Sequence, residues 1–166
     1  TGSTTCTVSD GSGTVATGNV SSVGVSCVTQ NIAYVANYGN DTVMQCSVNA
    51  TTGALTSCTT AATGFSVPWG VALNANGSFA YVANFGNDAV KLCSVSATGA
   101  LTSCITAATG FSGPTAVALN PNGSYAYVTN LSGNSVSQCS VNPISGALTS
   151  CTAAATGFSG PSGVTL

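Results

Sequence analysis

Apolar and polar positions along this chain repeat as one pattern, copied three times at offsets of 46 or 47 residues. Tyr34, Tyr81 and Tyr127 head the segments YVAN, YVAN and YVTN. The same offsets separate Cys46, Cys93 and Cys139, and again Pro68, Pro114 and Pro161. One unit, from Val71, reads VALNANGSFAYVANFGNDAVKLCSVSATGALTSCITAATGFSGP. Four strand signals fall inside it. VALN is short and apolar, and FAYVAN is apolar on both parities, as a strand covered on both faces must be. VKLCSV and ALTSC flank the turn SATG, which makes a hairpin. Asn76-Gly77, and Asn122-Gly123 one unit on, suit a tight type I′ turn between the first two strands because Asn and Gly both tolerate positive φ. No stretch carries a helical period.

A repeat of about 40 to 50 residues holding four strands is the pattern of a propeller blade, and blades packed between neighbours explain a second strand with two apolar faces. The expected fold is therefore all-β, a β-propeller-like array of four-stranded antiparallel blades. It would comprise a single repeat domain over 1–166, with about three full blades and partial blades at both ends. The divisions fall at 1–22 (third and fourth strands of a preceding blade), 23–68, 69–114, 115–161, and 162–166 as the first strand of a further blade. Such a chain either closes a tight ring or forms an arc whose ends need another copy. It begins at Thr1, as a processed mature protein or a segment of a longer one would.

The segments AYVANYGNDTV, ALNPNGSYAYVTN and NPISGALTSC resemble the YVTN repeats of seven-bladed propellers, among them lactonase-like and surface-layer propellers, over about residues 23–166. The resemblance implies a blade type and says little about activity, since one fold hosts many functions. Lactonase-like propellers, by that resemblance, gather His, Glu and Arg at a central channel. This chain has none of the three, so no catalytic position carries over, and the expectation is that it is not an enzyme.

Charge sharpens that expectation. Only 2% of residues are ionic, namely Asp10, Asp41, Asp88 and Lys91, and the formal charge is −2. That leaves no basic surface to follow phosphates and excludes nucleic-acid binding. No apolar run reaches the ~18 to 20 residues of a spanning helix. Six of the eight cysteines lie 12, 11 and 12 residues apart within the units (Cys46 and Cys58, Cys93 and Cys104, Cys139 and Cys151), too far apart for typical zinc spacing. They read as disulfides, each closing a hairpin and contributing about 3 kcal/mol in the chain-entropy model, which implies an oxidising, extracellular or cell-surface setting. Cys27 aligns with Leu73 on a first strand, so a Cys6–Cys27 bond would join different blades; a link from either to another chain is the alternative.

Several positions invite functional readings. Asp41 and Asp88 share a place after the second strand, which Ser135 takes in the third unit. One carboxylate per loop falls short of the oxygen shell calcium needs, so an Asx-type turn is the expectation, with no metal site. The repeated tyrosines, and Phe65, Phe111 and Phe158, fit interblade packing. Trp69, unlike its counterparts Thr115 and Ser162, is a candidate interface anchor. Sequons at Asn19, Asn40, Asn49, Asn76, Asn122 and Asn130 are candidates for N-glycosylation, and covalent glycans are the only non-protein groups expected. A neutral surface removes the repulsion that keeps proteins apart, and unfinished sheet ends are templates for another chain. The expected function is thus a secreted structural repeat protein that self-associates head to tail into a fibre, sheath or surface layer. The alternative is a carbohydrate-binding or adhesive module.

Overall fold

The computed structural model describes the backbone of residues 2–9 and 24–166 and the side chains of residues 31–166. Among the described residues there are twelve strands, two single-turn 3-10 segments and no α-helix. The strands are β1 (Gly2–Ser9), β2 (Gly24–Asn37), β3 (Thr42–Val48), β4 (Leu55–Ala62), β5 (Pro68–Leu73), β6 (Phe79–Asn84), β7 (Ala89–Val95), β8 (Leu101–Thr109), β9 (Pro114–Leu119), β10 (Tyr125–Asn130), β11 (Ser135–Val141) and β12 (Leu148–Thr156). They form three four-stranded antiparallel meanders in chain order: β1–β4, β5–β8 and β9–β12. The all-β, propeller-like architecture expected from the repeat is the one observed.

The sheets pack face to face, and the parity of β6 shows why both of its faces are apolar. Ala80 and Val82 join Val43, Ala61 and Phe65 of the first unit in one core. Tyr81 and Ala83 point the other way, into a second core with Val117, Ala126, Val128 and Leu148 of the third sheet. Strand alternation thus feeds two cores from one strand. Phe65 and Phe111, in the connections that leave the first and second sheets, each fill the gap to the next sheet. The inner strands converge most tightly at Gly70 of β5, where an added Cβ would lie 2.6 Å from the Thr115 carbonyl oxygen on β9. Only glycine fits there.

The three disulfides expected from the spacing join β3 to β4, β7 to β8 and β11 to β12: Cys46–Cys58, Cys93–Cys104 and Cys139–Cys151. In each, one cysteine faces two residues of the partner strand. Gln45 pairs with Thr59 and Ser47 with Thr56, so Ser57 and Cys58 together oppose Cys46. This is a β-bulge. Ser57, Ser103 and Ser150 occupy the extra position, all with φ near +50°. The middle separation is one residue shorter because its hairpin runs Ser96–Ala100, where the other two run Asn49–Ala54 and Asn142–Ala147.

Two expectations are corrected. The Asn-Gly turns are not type I′, because only Gly77 and Gly123 have positive φ while Asn76 and Asn122 do not. The turn is closed by the Gly77 N–H on the Asn74 carbonyl at 2.9 Å and reinforced by side chains: Asn74 Oδ1 accepts the Phe79 N–H at 2.9 Å, and Asn76 Oδ1 accepts the Ser78 N–H at 3.0 Å. Near the start of the chain, β2 runs unbroken from Gly24 to Asn37, where separate first and second strands were expected. It pairs with β1 through Gly24–Asn31 and with β3 through Ile32–Asn37. The segment holds Thr29-Gln30 in place of Asn76-Gly77, so the dipeptide that favours a tight reversal is missing there. The backbone register sets Cys6 opposite Cys27 within this one sheet, not across two blades; their side chains, like Asp10 and Asn19, lie outside the described residues.

One residue stands in the wrong conformation for its type. Val67 has φ +49°, at a position where the other units place Gly113 and Gly160, both also at positive φ. A β-branched residue in the left-handed region costs about 1–2 kcal/mol. Val67→Gly is expected to raise stability by roughly 1 kcal/mol, a shift in Tm of about 2–4 °C for a chain of this size. Thermal unfolding under oxidising conditions measures it. A fall in Tm would show that the side chain's packing outweighs the strain.

Candidate functional site

The turns after β2 and β6, and the connections that enter β5 and β9, meet at one end of the sheets. Asp41 and Asp88 sit there in the left-handed conformation, at φ +53° and +47°. Their side chains do more than close their own turns. Asp41 Oδ1 accepts the Val67 N–H at 2.7 Å, and Asp88 Oδ1 accepts the Gly113 N–H at 2.7 Å. The third unit uses Asn134, whose Oδ1 accepts the Gly160 N–H at 2.8 Å. Asn134, not Ser135, is therefore the counterpart of the aspartates. Each bond ties the link leaving a sheet to a turn of that same sheet, satisfying a backbone donor just before the conserved-in-repeat proline. Among the described residues no group of His, Cys, Asp or Glu converges as a metal site. An amide doing the same work as two carboxylates fits a cap.

A second layer of caps lies beneath. Asn84 and Asn130 are buried, and their Oδ1 atoms accept the Ser66 and Ser112 N–H groups at 2.7 and 3.2 Å. Asn130 Nδ2 also donates to Ser137 Oγ at 2.9 Å. Asn84 Nδ2 has no such partner, because Lys91 stands where the third sheet has Ser137. Asn130 is thus a structural amide, enclosed on all sides, and the expectation of a glycan there is corrected. Asn40, Asn49, Asn76 and Asn122 are exposed at turns.

Above these caps, three aromatic side chains come together that lie far apart in sequence. Trp69, on β5, stacks on Phe85 with ring centroids 5.6 Å apart and tilts against Tyr38 at 6.3 Å. Tyr38 and Phe85 open the 3-10 turns that end in Asp41 and Asp88. Trp69 remains 45% exposed and Tyr38 67% exposed, so the rings form a shelf open to solvent. The third unit has Thr115 in place of Trp69 and buries it in a bond with Thr129 Oγ1 at 2.9 Å, so the shelf belongs to the first two sheets alone. Sequence reasoning singled out Trp69 but not its partners. The available signal was that Tyr38 and Phe85 occupy one repeat position, which the third unit fills with Leu131.

The repeated tyrosines have a role between sheets. Tyr34 Oη donates to the Gly99 carbonyl at 2.6 Å, and Tyr81 Oη donates to the Gly146 carbonyl at 2.8 Å. Each bond joins one sheet's second strand to the outer hairpin of the next sheet. Tyr127 instead receives a 3.3 Å bond from Gln138 Nε2 in its own sheet.

Two tests follow from these bonds. Asp88→Asn is expected to change stability by less than about 0.5 kcal/mol, and Asp88→Ala to cost about 2 kcal/mol, since alanine loses both the cap and the tolerance of positive φ. Denaturant titration compares them; equal losses with added calcium restoring only the wild type would establish a cation site. Burial raises the pKa of Tyr34 and pushes that of Tyr81 from 10.0 up to about 12. A folded-state pKa above the unfolded one gives stability that is complete below about pH 10 and is lost as pH rises toward 12. Tm should therefore fall across that window, less steeply in Tyr81→Phe. Ultraviolet titration of the five tyrosines as one group near pH 10 would contradict it.

Comparison with known proteins agrees with this architecture. The family described as lactonase, 7-bladed beta-propeller, matches residues 24–165. Among solved structures, the chain is similar to a periplasmic gluconolactonase of Pseudomonas aeruginosa, with 24% identity and a TM-score of 0.60 over 80% of this chain and 38% of that one. It is similar to a candidate 6-phosphogluconolactonase of Bacteroides uniformis, with 23% identity and a TM-score of 0.60 over 76% of this chain and 38% of that one. It is also similar to the hydrazine synthase of Kuenenia stuttgartiensis, with 20% identity and a TM-score of 0.57 over 78% and 34%. The chain thus spans well under half the length of each. Among curated protein sequences, none matches. The expectation that the chain is not an enzyme, drawn from its missing His, Glu and Arg, is corrected by these matches, because the family and two of the neighbours carry the name of lactone-opening enzymes. The three disulfides place it outside the cytoplasm. The chain belongs to the seven-bladed lactonase family of β-propellers.

Proposed function

We propose that this chain is the ligand-holding part of a YVTN-type propeller at the cell surface, and that its ligand is a neutral saccharide or a saccharide lactone resting on Trp69. The observation that carries the reading is the open shelf of Trp69, Phe85 and Tyr38. Sugar rings present flat C–H faces that pack on indole and phenyl rings, while the hydroxyl edge seeks amides and carboxylates. Asp41 and Asp88 stand in the same turns as Tyr38 and Phe85, and exposed Asn40 and Asn87 lie beside them. A neutral ligand suits a chain with one cation, which offers little hold on a phosphate.

Lactone opening supports the same placement. Hydrolysis needs a base to take a proton from the attacking water as the carbonyl carbon becomes tetrahedral, and that proton passes to the ring oxygen when the acyl C–O bond breaks. Asp41 and Asp88 are the carboxylates among the described side chains, and both lie at the shelf's end of the sheets. The family name and the gluconolactonase neighbours favour a lactone over other ligands. Glycans on exposed Asn76 or Asn122, at the opposite strand ends, fit a surface location and would leave the shelf open, whereas one on Asn40 would cover it.

Trp69 is the only tryptophan, so its fluorescence reads the site directly. Titration with glucono-lactone and with neutral oligosaccharides is expected to shift that emission saturably, and Tyr38→Ala to weaken the response about tenfold, the loss of one stacking partner. Unchanged emission across all such ligands, with the fold intact by circular dichroism, would end the proposal.

A further inference from the structure

Among the described residues, four turn asparagines hold their side-chain oxygen in the same way, between two donors from residues that follow. Asn76 Oδ1 accepts the Ser78 N–H at 3.0 Å and the Ser78 hydroxyl at 2.7 Å. One unit on, Asn122 Oδ1 accepts the Ser124 N–H at 3.1 Å and the Ser124 hydroxyl at 2.5 Å. Asn49 Oδ1 takes the Thr51 and Thr52 N–H groups, and Asn142 Oδ1 takes those of Ile144 and Ser145, all at 2.9 Å. What differs is the next residue: Gly77 and Gly123 after the first two, Ala50 and Pro143 after the others.

That arrangement bears on the amide's own reactivity. When the following backbone nitrogen attacks an asparagine Cγ, the carbon becomes tetrahedral and the side-chain oxygen gathers negative charge. Donors at 2.5–3.1 Å stand where they stabilise that charge at Asn76 and Asn122. Glycine leaves the attacking nitrogen unshielded, since no Cβ stands beside it and its backbone turns freely. Alanine adds a Cβ, and proline has no N–H to lose. Asn76 and Asn122 are exposed, so water reaches both amides. The Gly77 and Gly123 N–H groups are donated to the Asn74 and Asn120 carbonyls at 2.9 and 2.8 Å, and opening that bond gates the attack.

We propose that Asn76 and Asn122 are sites of spontaneous deamidation, and that the folded turn assists the step. Hydroxide takes the Gly77 amide proton and the nitrogen bonds to Asn76 Cγ. The Cγ–Nδ2 bond then breaks, and water protonates the leaving nitrogen to ammonia and returns the hydroxide. The five-membered succinimide adds water at either carbonyl and opens to aspartate or isoaspartate. Nothing is oxidised or reduced, and water is the only co-reactant. Each event adds one carboxylate to a chain whose formal charge is −2, so copies repel one another more as they age. Asn76 and Asn122 also head sequons, so glycan addition and this reaction compete for the same Nδ2. Both turns lie at the strand ends away from the aromatic shelf, and the inference does not rest on it.

Peptide mapping by mass spectrometry reads each site separately in the full chain, made without glycans and incubated folded at mildly alkaline pH. Asn76 and Asn122 are expected to exchange NH2 for OH, with isoaspartate among the products, while Asn49 and Asn142 keep their amides. Ser78→Ala removes one donor to the Asn76 oxygen and should slow that site about tenfold, leaving Asn122 unchanged. Ser78→Thr keeps the hydroxyl and should restore the rate. In denaturant the turn is gone, so wild type and Ser78→Ala should convert Asn76 alike. Amides at Asn76 and Asn122 that persist in the folded chain while the denatured chain loses them would overturn the proposal. So would conversion of Asn49 at the same rate, or a folded Ser78→Ala chain that reacts as fast as the wild type.

Discussion

The fold depends on one contact made repeatedly: an apolar sheet face receiving the outer hairpin of the next sheet. Nothing in an isolated sheet of this chain would keep it folded. Its strands carry one charge, that of Lys91, its charged residues number four in all, and no ion pair ties its strands together among the described residues. Stability comes from stacking, where Ala80 and Val82 feed one interface while Tyr81 and Ala83 feed the next. The tyrosine hydroxyl gives that stacking a register. Apolar faces alone tolerate sliding, and a phenol aimed at one carbonyl does not.

The disulfides and the asparagine and aspartate caps act within sheets, on the parts that stacking secures least. The outer strand of each meander has one neighbour, and a cysteine pair at a bulge binds it to that neighbour. The caps of Asp41, Asp88 and Asn134 hold the link that leaves each sheet, so the chain is delivered onward along a fixed path. The aromatic shelf is a product of that delivery. It forms because the turns after β2 and β6 converge on the inner strand β5, and it stops at the third sheet because Thr115 replaces Trp69.

Much of this could be read from residues alone, for identifiable reasons. The 46- to 47-residue offsets and the two-faced YVAN strand reveal stacked sheets because strand parity is a local property. The cysteine spacings reveal the staples because a hairpin of known length sets which residues oppose. Other features escaped because they depend on contacts between units. The Tyr81–Gly146 bond spans 65 residues, more than one repeat, so no comparison of one unit with another exposes it. The third unit writes LSGN where the others write YGND and FGND, so its Gly-Asn pair is shifted by one residue: Ser135 follows that pair in the motif, and Asn134 takes the aspartate's place in space. The Asn-Gly dipeptide suggested a primed turn, yet the side chains of Asn74 and Asn76 offered a competing set of bonds. The unbroken β2 shows the reverse: the Asn-Gly dipeptide is missing at residues 29–30, and the chain runs straight on there.

Amide hydrogen exchange, at a dilution where the chain is monomeric, tests most directly whether stacking holds the structure. The second sheet is covered on both faces and the third on one, although both carry the same staple. The account predicts that the amides of β6 and β7 are protected well beyond those of β10 and β11. Equal protection in the two sheets would contradict it, and would mean that each sheet is held by its disulfide and turns without its neighbours.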